Sequence, residues 1–413
     1  MYQRQVPVAS RLSEVRYEIR GELAKRALEL ETQGRSIIKL NIGNPGLFEF
    51  EAPAHLREAI ARHLPNSDPY CHQQGLAAAR EAIAMRELAR GAPNATPNAT
   101  FVGNGVSELI DIALRGLLNP GEEVLVPSPD YPLWTAAVIL NGGRAVHYPC
   151  APENGFLPDP EELESRITPR TRAIVVINPN NPTGAVYPKE LLAAIADIAT
   201  RHRLVLMADE IYDGITYDDA SFHPIAALAP ETVCVTFSGL SKVHRACGWR
   251  VGWMSLSGPL KRAQDYLHAL DLLSALRLCA NVTAQWAIEP ALHGPDTISE
   301  LTRAGGRLFE ARQAVIEGVA ASQFMSLVAP AGALYAFPGV DTTLLPGFDD
   351  HRFALELLET EDVLLVPGSS FNVPYRTHFR LTLLPRPAQI EEVFVRLERA
   401  LERASRSAHR HVA

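Results

Sequence analysis

Short apolar runs alternate with longer amphipathic stretches between about residues 100 and 260, and this alternation constrains the fold more than any other feature. Several runs are apolar at consecutive positions, which indicates strands buried on both faces and hence a parallel sheet covered by helices. The predicted strands are EVLVP (123–127), RAVHYP (144–149), AIVVIN (173–178), LVLMAD (204–209), VCVTFS (233–238) and VGWMSL (251–256). The sequence therefore predicts an α/β fold.

The stretches around these strands carry helix signals. VSELIDIALRGLL has apolar residues at positions 106, 109, 110, 113, 114, 117 and 118, which is helical periodicity, and Asn119-Pro-Gly ends it. PKELLAAIADIATRHR (188–203) starts with a proline at a first-turn position and ends with basic residues, as helices commonly do. Helices between successive strands are the connections that a parallel sheet requires.

The pattern changes after about residue 300, where a second, smaller α/β domain with a mixed or antiparallel sheet is expected. Its predicted elements are a helix in GGRLFEARQAVIEGVA, a hairpin in AGALYAFPGV, a helix around 351–360, strands in VLLVPG and HFRLTLLP, and a final helix at about 387–405. We therefore expect a large domain at 51–300 and a small domain at 301–413, with an N-terminal arm at 1–50 packing against the small domain.

The bulk composition is that of a globular protein of more than one domain. The 413 residues are 47% hydrophobic and 21% charged, with a net charge of -8, which argues against a nucleic-acid partner. The five cysteines show no CxxC pair or metal-ligand spacing, as expected for reduced thiols. No signal-peptide core or membrane-length apolar window is present, so we expect a soluble, cytoplasmic protein without a membrane partner.

Chemically distinctive side chains follow four of the predicted strands. Tyr131 follows the first strand, Asn181 lies in the turn PNNPTG, Asp209 and Tyr212 lie in DEIYD, and SGLSK presents Lys242. Arg250 comes eight residues after that lysine. Because ligands of open parallel sheets bind outside the carboxyl ends of the strands, these groups are expected to meet at one edge.

Together these groups match the needs of pyridoxal phosphate. That cofactor takes an amine on its aldehyde, a carboxylate beside its ring nitrogen, donors to its ring oxygen, a stacking face and a phosphate site. The amine would come from Lys242 and the carboxylate from Asp209. The donors to the ring oxygen would be Tyr212 and Asn181, and the stacking face would be Tyr131. The start of the helix at 106, in GNGVSE, offers free backbone amides to a phosphate, and Arg250 can clamp it. Each residue alone has an ordinary structural explanation; their joint order favours the cofactor site.

The motifs NPNNPTG, ADEIYD and SGLSKVHRACGWRVGW, in that order, resemble the class I and II aminotransferases, which are fold type I pyridoxal-phosphate enzymes. The resemblance extends from LNIGNP at 40–45 to HFRLTLLP at 378–385. Within the family, YEIRG, GNGVSELI, VPSPDYPLWTAAV and LRLCANV are most similar to the bacterial alanine (glutamate–pyruvate) aminotransferases. The resemblance to this family implies a large domain with a mostly parallel seven-stranded sheet, a smaller α/β domain, and a homodimer with shared active sites.

The resemblance also assigns functional positions. It implies that Lys242 is the catalytic lysine that bonds to the cofactor. The implied cofactor-binding positions are Val106, Ser107, Tyr131, Asn181, Asp209, Tyr212, Ser241, Lys242 and Arg250, with Tyr70 of the partner subunit. The implied substrate-binding positions are Gly43, Asn181 and Arg380, of which Arg380 matches the arginine that binds the substrate α-carboxylate. No metal is implied.

Some positions depart from the family or have two interpretations. Many members have a hydroxyl residue three positions before the lysine, where this chain has Gly239, so its phosphate site should depend more on Ser241 or backbone amides. Glu49 is an unusual acidic residue in PGLFEF. Tyr17 and Arg20, in VRYEIRG, are candidates to contact the second carboxylate of glutamate, or they are surface residues of an N-terminal helix.

The implied reaction is transamination, in which L-alanine and 2-oxoglutarate exchange their amino and oxo groups to give pyruvate and L-glutamate. Alternatives are an aminotransferase for other neutral, branched or aromatic amino acids, and a pyridoxal-phosphate lyase that cleaves C–S bonds and releases pyruvate and ammonia. A transcription regulator with an aminotransferase-like domain would need an added DNA-binding domain, and only some forty residues precede LNIGNP.

Overall fold

The computed structural model describes residues 6–412, with side chains up to residue 406. Within this range the α-helices are α1 (Glu22–Thr32), α2 (Ala54–His63), α3 (Ala77–Ala89), α4 (Val106–Leu117), α5 (Leu133–Leu140), α6 (Pro160–Ser165), α7 (Lys189–Arg201), α8 (Gln264–Leu276), α9 (Ile288–His293), α10 (Ser299–Thr302), α11 (Arg307–Ala320), α12 (Asp350–Glu361) and α13 (Pro387–Val412). The strands are β1 (Ile38–Lys39), β2 (Thr100–Gly103), β3 (Glu123–Ser128), β4 (Arg144–Pro149), β5 (Thr171–Ile177), β6 (Val205–Asp209), β7 (Cys234–Gly239), β8 (Gly252–Ser257), β9 (Met325–Ser326), β10 (Tyr335–Ala336), β11 (Gly339–Val340), β12 (Val363–Leu364), β13 (Val366–Pro367) and β14 (Phe379–Thr382).

A seven-stranded sheet with the order β2-β8-β7-β6-β5-β3-β4 forms the centre of the large domain. Strands β3 to β7 pair in parallel, whereas β8 runs antiparallel to both β7 and β2. The α/β class, the mostly parallel sheet and all six predicted strands are confirmed. The short strand β2 was not predicted, because its four residues contain a threonine and a glycine and lack a distinct apolar pattern.

The central strands are buried on both faces because their side chains alternate between two hydrophobic clusters. In β5, Ile174 and Val176 point into one cluster, whereas Ala173, Val175 and Ile177 point into the other. Burying one large aliphatic side chain contributes about 1.5–3 kcal/mol. This two-sided burial explains why the strands read as continuous apolar runs in the sequence.

Helix α4 connects β2 to β3 and brings its first turn to the carboxyl end of the sheet. Its apolar stripe is buried against the sheet, as the sequence predicted for this segment. Gly105 precedes the helix with φ +86°, a left-handed conformation that glycine adopts without strain. The predicted helices at 188–203, 351–360 and 387–405 correspond to α7, α12 and α13.

The C-terminal region packs α11, α12 and α13 against a small antiparallel sheet with the order β10-β14-β13. The predicted hairpin in AGALYAFPGV is wrong. Strand β10 pairs with β14 and β11 pairs with β9, because residues 337–338 continue the chain from one partner to another instead of turning it back. The predicted strands in VLLVPG and HFRLTLLP are present as β12, β13 and β14.

The first fifty residues contact both parts of the molecule. Strand β1 pairs in parallel with β12, and α1 joins the hydrophobic cluster of the C-terminal region. Before them, Arg11 donates a hydrogen bond of 2.7 Å to the carbonyl of Leu140 in α5. We retain the division into an arm at 1–50, a large domain at 51–300 and a small domain at 301–413 as a proposal.

Candidate active site

The carboxyl ends of β5, β6 and β7 place Asn181, Asp209 and Lys242 at one edge of the sheet. Asp209 is the last residue of β6, and the other two lie three or four residues beyond the ends of β5 and β7. Because these strands are neighbours in the sheet, their ends lie side by side. The structure therefore brings together residues that are 28 to 61 positions apart in the sequence.

Asp209 is a buried carboxylate with few partners. It is 4% exposed and accepts hydrogen bonds from the indole Nε1 of Trp134 at 2.9 Å and from the backbone amide of Ile211 at 3.4 Å. Burial raises the pKa of Asp209 to about 6, against the opposing effects of Trp134, the Ile211 amide and the charge of Lys242. Such a group favours a nearby cation, because a positive charge would hold it ionised.

Lys242 reaches the opposite wall of the site. Its Nζ donates a hydrogen bond of 2.6 Å to the backbone carbonyl of Gly43 and lies 3.9 Å from the Sγ atom of Cys247. These contacts leave the amine without a carboxylate hydrogen-bond partner among the described residues. A half-buried amine in this position is available to bond to an aldehyde.

Arg380 is a buried cation with an unfilled hydrogen-bonding position. It is 1% exposed, and its two Nη atoms donate to the Oδ1 of Asn181 at 2.9 Å and to the carbonyl of Asn41 at 2.5 Å. Its guanidinium lies over the rings of Tyr335 and Phe371, and its Nε has no partner in the part of the chain described. A buried guanidinium bonded only to neutral oxygens is suited to an incoming carboxylate.

Tyr212 lies beside a second tyrosine that the sequence did not single out. The hydroxyl of Tyr212 donates to the hydroxyl of Tyr335 at 3.2 Å, and both rings are buried. Burial acts to raise the pKa of Tyr335, but the charges of Lys242 and Arg380 bring the pKa below its usual value. A Cβ on Gly43 would lie 2.1 Å from the Tyr335 hydroxyl, so glycine is required there.

The side chain of Arg250 lies beside the turn that leads into α4. Val106 and Ser107 begin the helix, and their amides lie among its first, unpaired N–H groups. Arg250 lies against the turn before the helix, where its Nη2 donates to the carbonyl of Asn104 at 3.2 Å. A Cβ on Gly105 would collide with this guanidinium, at 2.1 Å from Nη2. The arrangement has the unpaired amides and the fixed cation that a phosphate needs.

Steric crowding explains why position 239 is occupied by glycine. A Cβ there would lie 2.7 Å from the carbonyl oxygen of Val251 and 2.9 Å from the Cα of Gly252. The close approach of β7 and β8 therefore excludes a hydroxyl side chain at this position. Ser241, two residues further, is half-buried.

Besides Asn41 and Gly43, the N-terminal arm contacts the site through Tyr17. The hydroxyls of Tyr17 and Tyr131 share a hydrogen bond of 3.3 Å. Arg20 follows closely, is exposed, and makes no hydrogen bond or ion pair with any residue that the structure describes. Tyr70 is 78% exposed. The structure thus brings Tyr17 into contact with Tyr131, whereas Arg20 and Tyr70 are exposed.

The donor set fits pyridoxal phosphate. The ring nitrogen would face Asp209, the aldehyde Lys242, the ring oxygen Asn181 and Tyr212, and the phosphate the start of α4 with Arg250. The buried Asp209 carboxylate has few hydrogen-bond partners, which favours an added cationic ring. The Nε of Arg380 has no partner among the described residues, which favours an added carboxylate. Trp134 and Tyr335 were missed as site residues, since their roles depend on which atoms they face.

Comparison with known proteins defines the family. The sequence matches the family described as aminotransferase class I and II over residues 35–397, so the chain belongs to it. It is 50% identical over 383 residues to the glutamate-pyruvate aminotransferase AlaA of Escherichia coli, covering 93% of this chain and 95% of that protein. It is 46% identical over 396 residues to the alanine aminotransferase of Mycobacterium tuberculosis, covering 96% and 92% respectively.

A solved structure supports the same assignment. The crystal structure of an aminotransferase from Escherichia coli superposes with a TM-score of 0.95 at 49% identity, covering 97% of this chain and 99% of that one. The enzymes of this family depend on pyridoxal phosphate, so the predicted fold, enzyme class and cofactor are confirmed. No helix in the described part of the chain is long and apolar enough to cross a membrane.

Proposed function

We propose that this aminotransferase exchanges the amino group of L-alanine with the oxo group of 2-oxoglutarate, giving pyruvate and L-glutamate. The relatives that are 50% and 46% identical carry the names glutamate-pyruvate and alanine aminotransferase, which supports this choice of substrates. The observation that carries it is that Lys242 and Arg380, from distant parts of the chain, both contact the backbone segment at 41–43. They donate to the carbonyls of Gly43 and Asn41, so an amine and a carboxylate receptor face the same small volume.

Asp209, Asn181, Tyr212 and Lys242 would hold the cofactor. Pyridoxal phosphate supplies an aldehyde that bonds to amines and a ring that accepts electrons from the substrate α-carbon. The ionised Asp209 would keep the ring nitrogen protonated, and the amide of Asn181 and the hydroxyl of Tyr212 would donate to the ring oxygen. The amides of Val106 and Ser107, with Ser241 and Arg250, would bind the phosphate.

Arg380 orients the substrate in this proposal. A carboxylate that accepts from the guanidinium of Arg380 gains charge-assisted hydrogen bonds from a side chain that is 1% exposed. Asn181 already fixes one Nη atom, so it sets the direction of the guanidinium. With the carboxylate held, the α-carbon lies within reach of Lys242, whose Nζ removes the α-proton and later returns it as a general acid.

Selection between alanine and glutamate would fall to the N-terminal arm. Arg20 has no ion-pair partner among the described residues, so it is available to pair with the distal carboxylate of glutamate or 2-oxoglutarate. Tyr17, held by Tyr131, would position this segment over the site. Alanine, whose methyl group needs no charged partner, would leave Arg20 solvated.

We also propose that the protein is a cytoplasmic homodimer whose active sites are shared. The segment after Tyr70 packs on α8, because Gln73 donates to Asp271 at 3.1 Å. Nearby on α8 and the following turn, Leu272, Leu276 and Leu278 are mostly exposed, as is Tyr70. An apolar surface of this kind suits a second copy of the chain. Tyr70 of the partner subunit would then complete the phosphate site.

The first experiment is a half-reaction with the purified holoenzyme. L-Alanine is added without any oxo acid, and the cofactor absorption spectrum, pyruvate and ammonia are measured. We expect one equivalent of pyruvate per site, conversion of the cofactor to its aminated form and no ammonia. An unchanged spectrum with alanine, but conversion with another amino acid, would reject alanine as the substrate. Continuous ammonia release from cystathionine would instead assign the protein to the lyases.

A further inference from the structure

A short 3₁₀ helix at Gly368–Phe371 lies beside the proposed carboxylate site. Its last residue, Phe371, is fully buried, and the guanidinium of Arg380 lies over its ring, with 4.8 Å between Cζ and the ring centroid. The same guanidinium lies over the ring of Tyr335 at 4.2 Å. Two aromatic rings against one guanidinium restrain its plane, and that plane sets the direction of its N–H groups toward a carboxylate.

Asp130 holds the end of this short helix against the large sheet. It follows strand β3 by two residues and is fully buried. Its backbone amide donates to the carbonyl of Phe371 at 3.1 Å, and its Oδ1 accepts from the side-chain amide of Asn372 at 2.8 Å. The hydroxyl of Ser128 donates to the carbonyl of Asn372, also at 2.8 Å. Three hydrogen bonds thus tie the segment after β3 to the end of the short helix.

The carboxylate of Asp130 is fixed in direction by its second oxygen. Its Oδ2 accepts from the hydroxyl of Thr135, in the first turn of α5, at 2.5 Å. Among the residues with described side chains, no lysine, arginine or histidine forms an ion pair with Asp130. A buried carboxylate without a cation is costly, and its hydrogen bonds offset that cost. The bond from Asn372 is therefore a strong restraint on the segment that carries it.

The other end of the short helix is held from within the C-terminal region. Asp350, the first residue of α12, accepts from the backbone amide of Ser369 at 2.6 Å and from its hydroxyl at 3.0 Å. Asp350 thus fixes the start of the short helix, whereas Asp130 fixes its end. Loss of the contact with Asp130 would leave the helix attached at its start and release the end that carries Phe371.

We propose that Asp130 is a positioning residue for the substrate carboxylate: through Asn372 it keeps the ring of Phe371 against the guanidinium of Arg380. This inference rests on the carboxylate-binding role proposed above for Arg380. Asp130 itself does not touch the substrate and acts only through the end of the short helix. Tyr131, the proposed stacking residue for the cofactor ring, directly follows Asp130. One segment between β3 and α5 would therefore serve both the cofactor and the substrate.

The test is the binding of propionate to the holoenzyme, measured by isothermal titration calorimetry. Propionate has the carboxylate of alanine but no amino group, so its binding reports the carboxylate site without any bond to the cofactor. The buffer is held at about pH 8.5, above the pKa of about 7 that burial gives Asp130, so that this carboxyl is ionised.

Asn372→Gly removes the side-chain donor and keeps the backbone. Glycine suits the left-handed conformation of this residue, which has φ +55°. We expect the dissociation constant of propionate to rise about threefold to tenfold, as for the loss of one contact between a cation and an aromatic face. The KM for L-alanine should rise with it, while kcat changes less. An unchanged dissociation constant for propionate would overturn the proposal.

An exchange of the two side chains separates positioning from packing. Asn372→Asp places a second carboxylate against Asp130 and should weaken propionate binding at least as much as Asn372→Gly. Adding Asp130→Asn restores an amide opposite a carboxylate, and the hydroxyl of Thr135 can still donate to the amide oxygen at position 130. The dissociation constant should then return to within about twofold of that of the unmodified protein. A double variant as weak as Asn372→Asp alone would contradict the proposed contact.

A matched control tests for general loosening. Asn141 donates to Asp111 at 2.8 Å, a bond of the same type and length between α5 and α4. Asn141→Gly should lower the midpoint of urea unfolding but leave propionate binding unchanged. If Asn141→Gly weakens propionate binding as much as Asn372→Gly does, the effect is not one of position and the proposal fails.

Arg380→Ala separates this inference from the proposed function. It should weaken propionate binding by about tenfold or more, because the charge-assisted hydrogen bonds are lost. Unchanged binding in Arg380→Ala would reject the carboxylate-binding role of Arg380, and the role of Asp130 with it. Weakened binding in Arg380→Ala together with normal binding in Asn372→Gly would reject the role of Asp130 alone.

Discussion

Replacement of Trp134 by phenylalanine tests whether a single indole hydrogen bond controls the ionisation of Asp209. The indole Nε1 donates to Oδ2 of Asp209 at 2.9 Å inside the protein, and the ring packs edge-on against Phe237. Phenylalanine keeps an aromatic ring in this position but has no N–H group. The change therefore removes the hydrogen bond and retains much of the packing.

The size of the effect follows from the geometry. A hydrogen bond to a charged group contributes about 1.5–3 kcal/mol, which corresponds to about one to two pKa units. Without it, the pKa of Asp209, now about 6, should rise to about 7 or 8 in the cofactor-free protein. If the cofactor binds only the ionised carboxyl, its dissociation constant at pH 7 should increase about twofold for a pKa of 7 and about tenfold for a pKa of 8. The effect should disappear at about two units higher pH, where both proteins are ionised.

The assay is a cofactor titration of the apo-protein at these two pH values. In an Asp209→Asn background, Trp134→Phe should have no pH-dependent effect, because asparagine does not titrate. A dissociation constant that changes equally at both pH values would mean that the indole acts through packing alone. No change at either value would refute the role of the hydrogen bond.

Three further predictions concern other buried groups. Lys242→Ala should abolish turnover while circular dichroism shows an unchanged fold; transamination at the unmodified rate would exclude Lys242 as the catalytic amine. Arg380→Ala should lower kcat/KM roughly tenfold to a hundredfold for all amino-acid substrates, and Arg380→Lys should lower it less. A loss of activity with only one substrate would contradict the proposed role of Arg380. Asp130 is buried with its pKa raised to about 7, so it holds more protons in the folded state than in the unfolded state between about pH 4 and 7. Stability, measured by urea unfolding, should therefore fall by ~4 kcal/mol relative to Asp130→Asn as the pH rises through this window, and parallel pH profiles would contradict it.

Much of the site could be predicted from the sequence because parallel sheets concentrate function at one edge. Once β3, β5, β6 and β7 were recognised as consecutive apolar runs, the residues after them had to lie close together. Asn181, Asp209 and Lys242 follow this rule. Gly239 was noted as a departure from the family, but only the distance to the Val251 carbonyl gives the steric reason for it.

Several features depended on contacts that no local pattern contains. The hairpin expected in AGALYAFPGV is absent, because the pairing of short strands depends on the packing around them. Tyr335 instead pairs with Thr382, on a strand that is distant in the sequence.

The sequence by itself determined the order of buried strands and helices and the chemistry placed at the strand ends, because hydrophobic periodicity and turn residues are local properties. Tertiary structure decided which atoms those side chains face. The whole fold places the indole of Trp134 against Asp209, and burial of that carboxyl raises its pKa. The fold also buries Arg380 in a position where its Nε has no hydrogen-bond partner among the described residues.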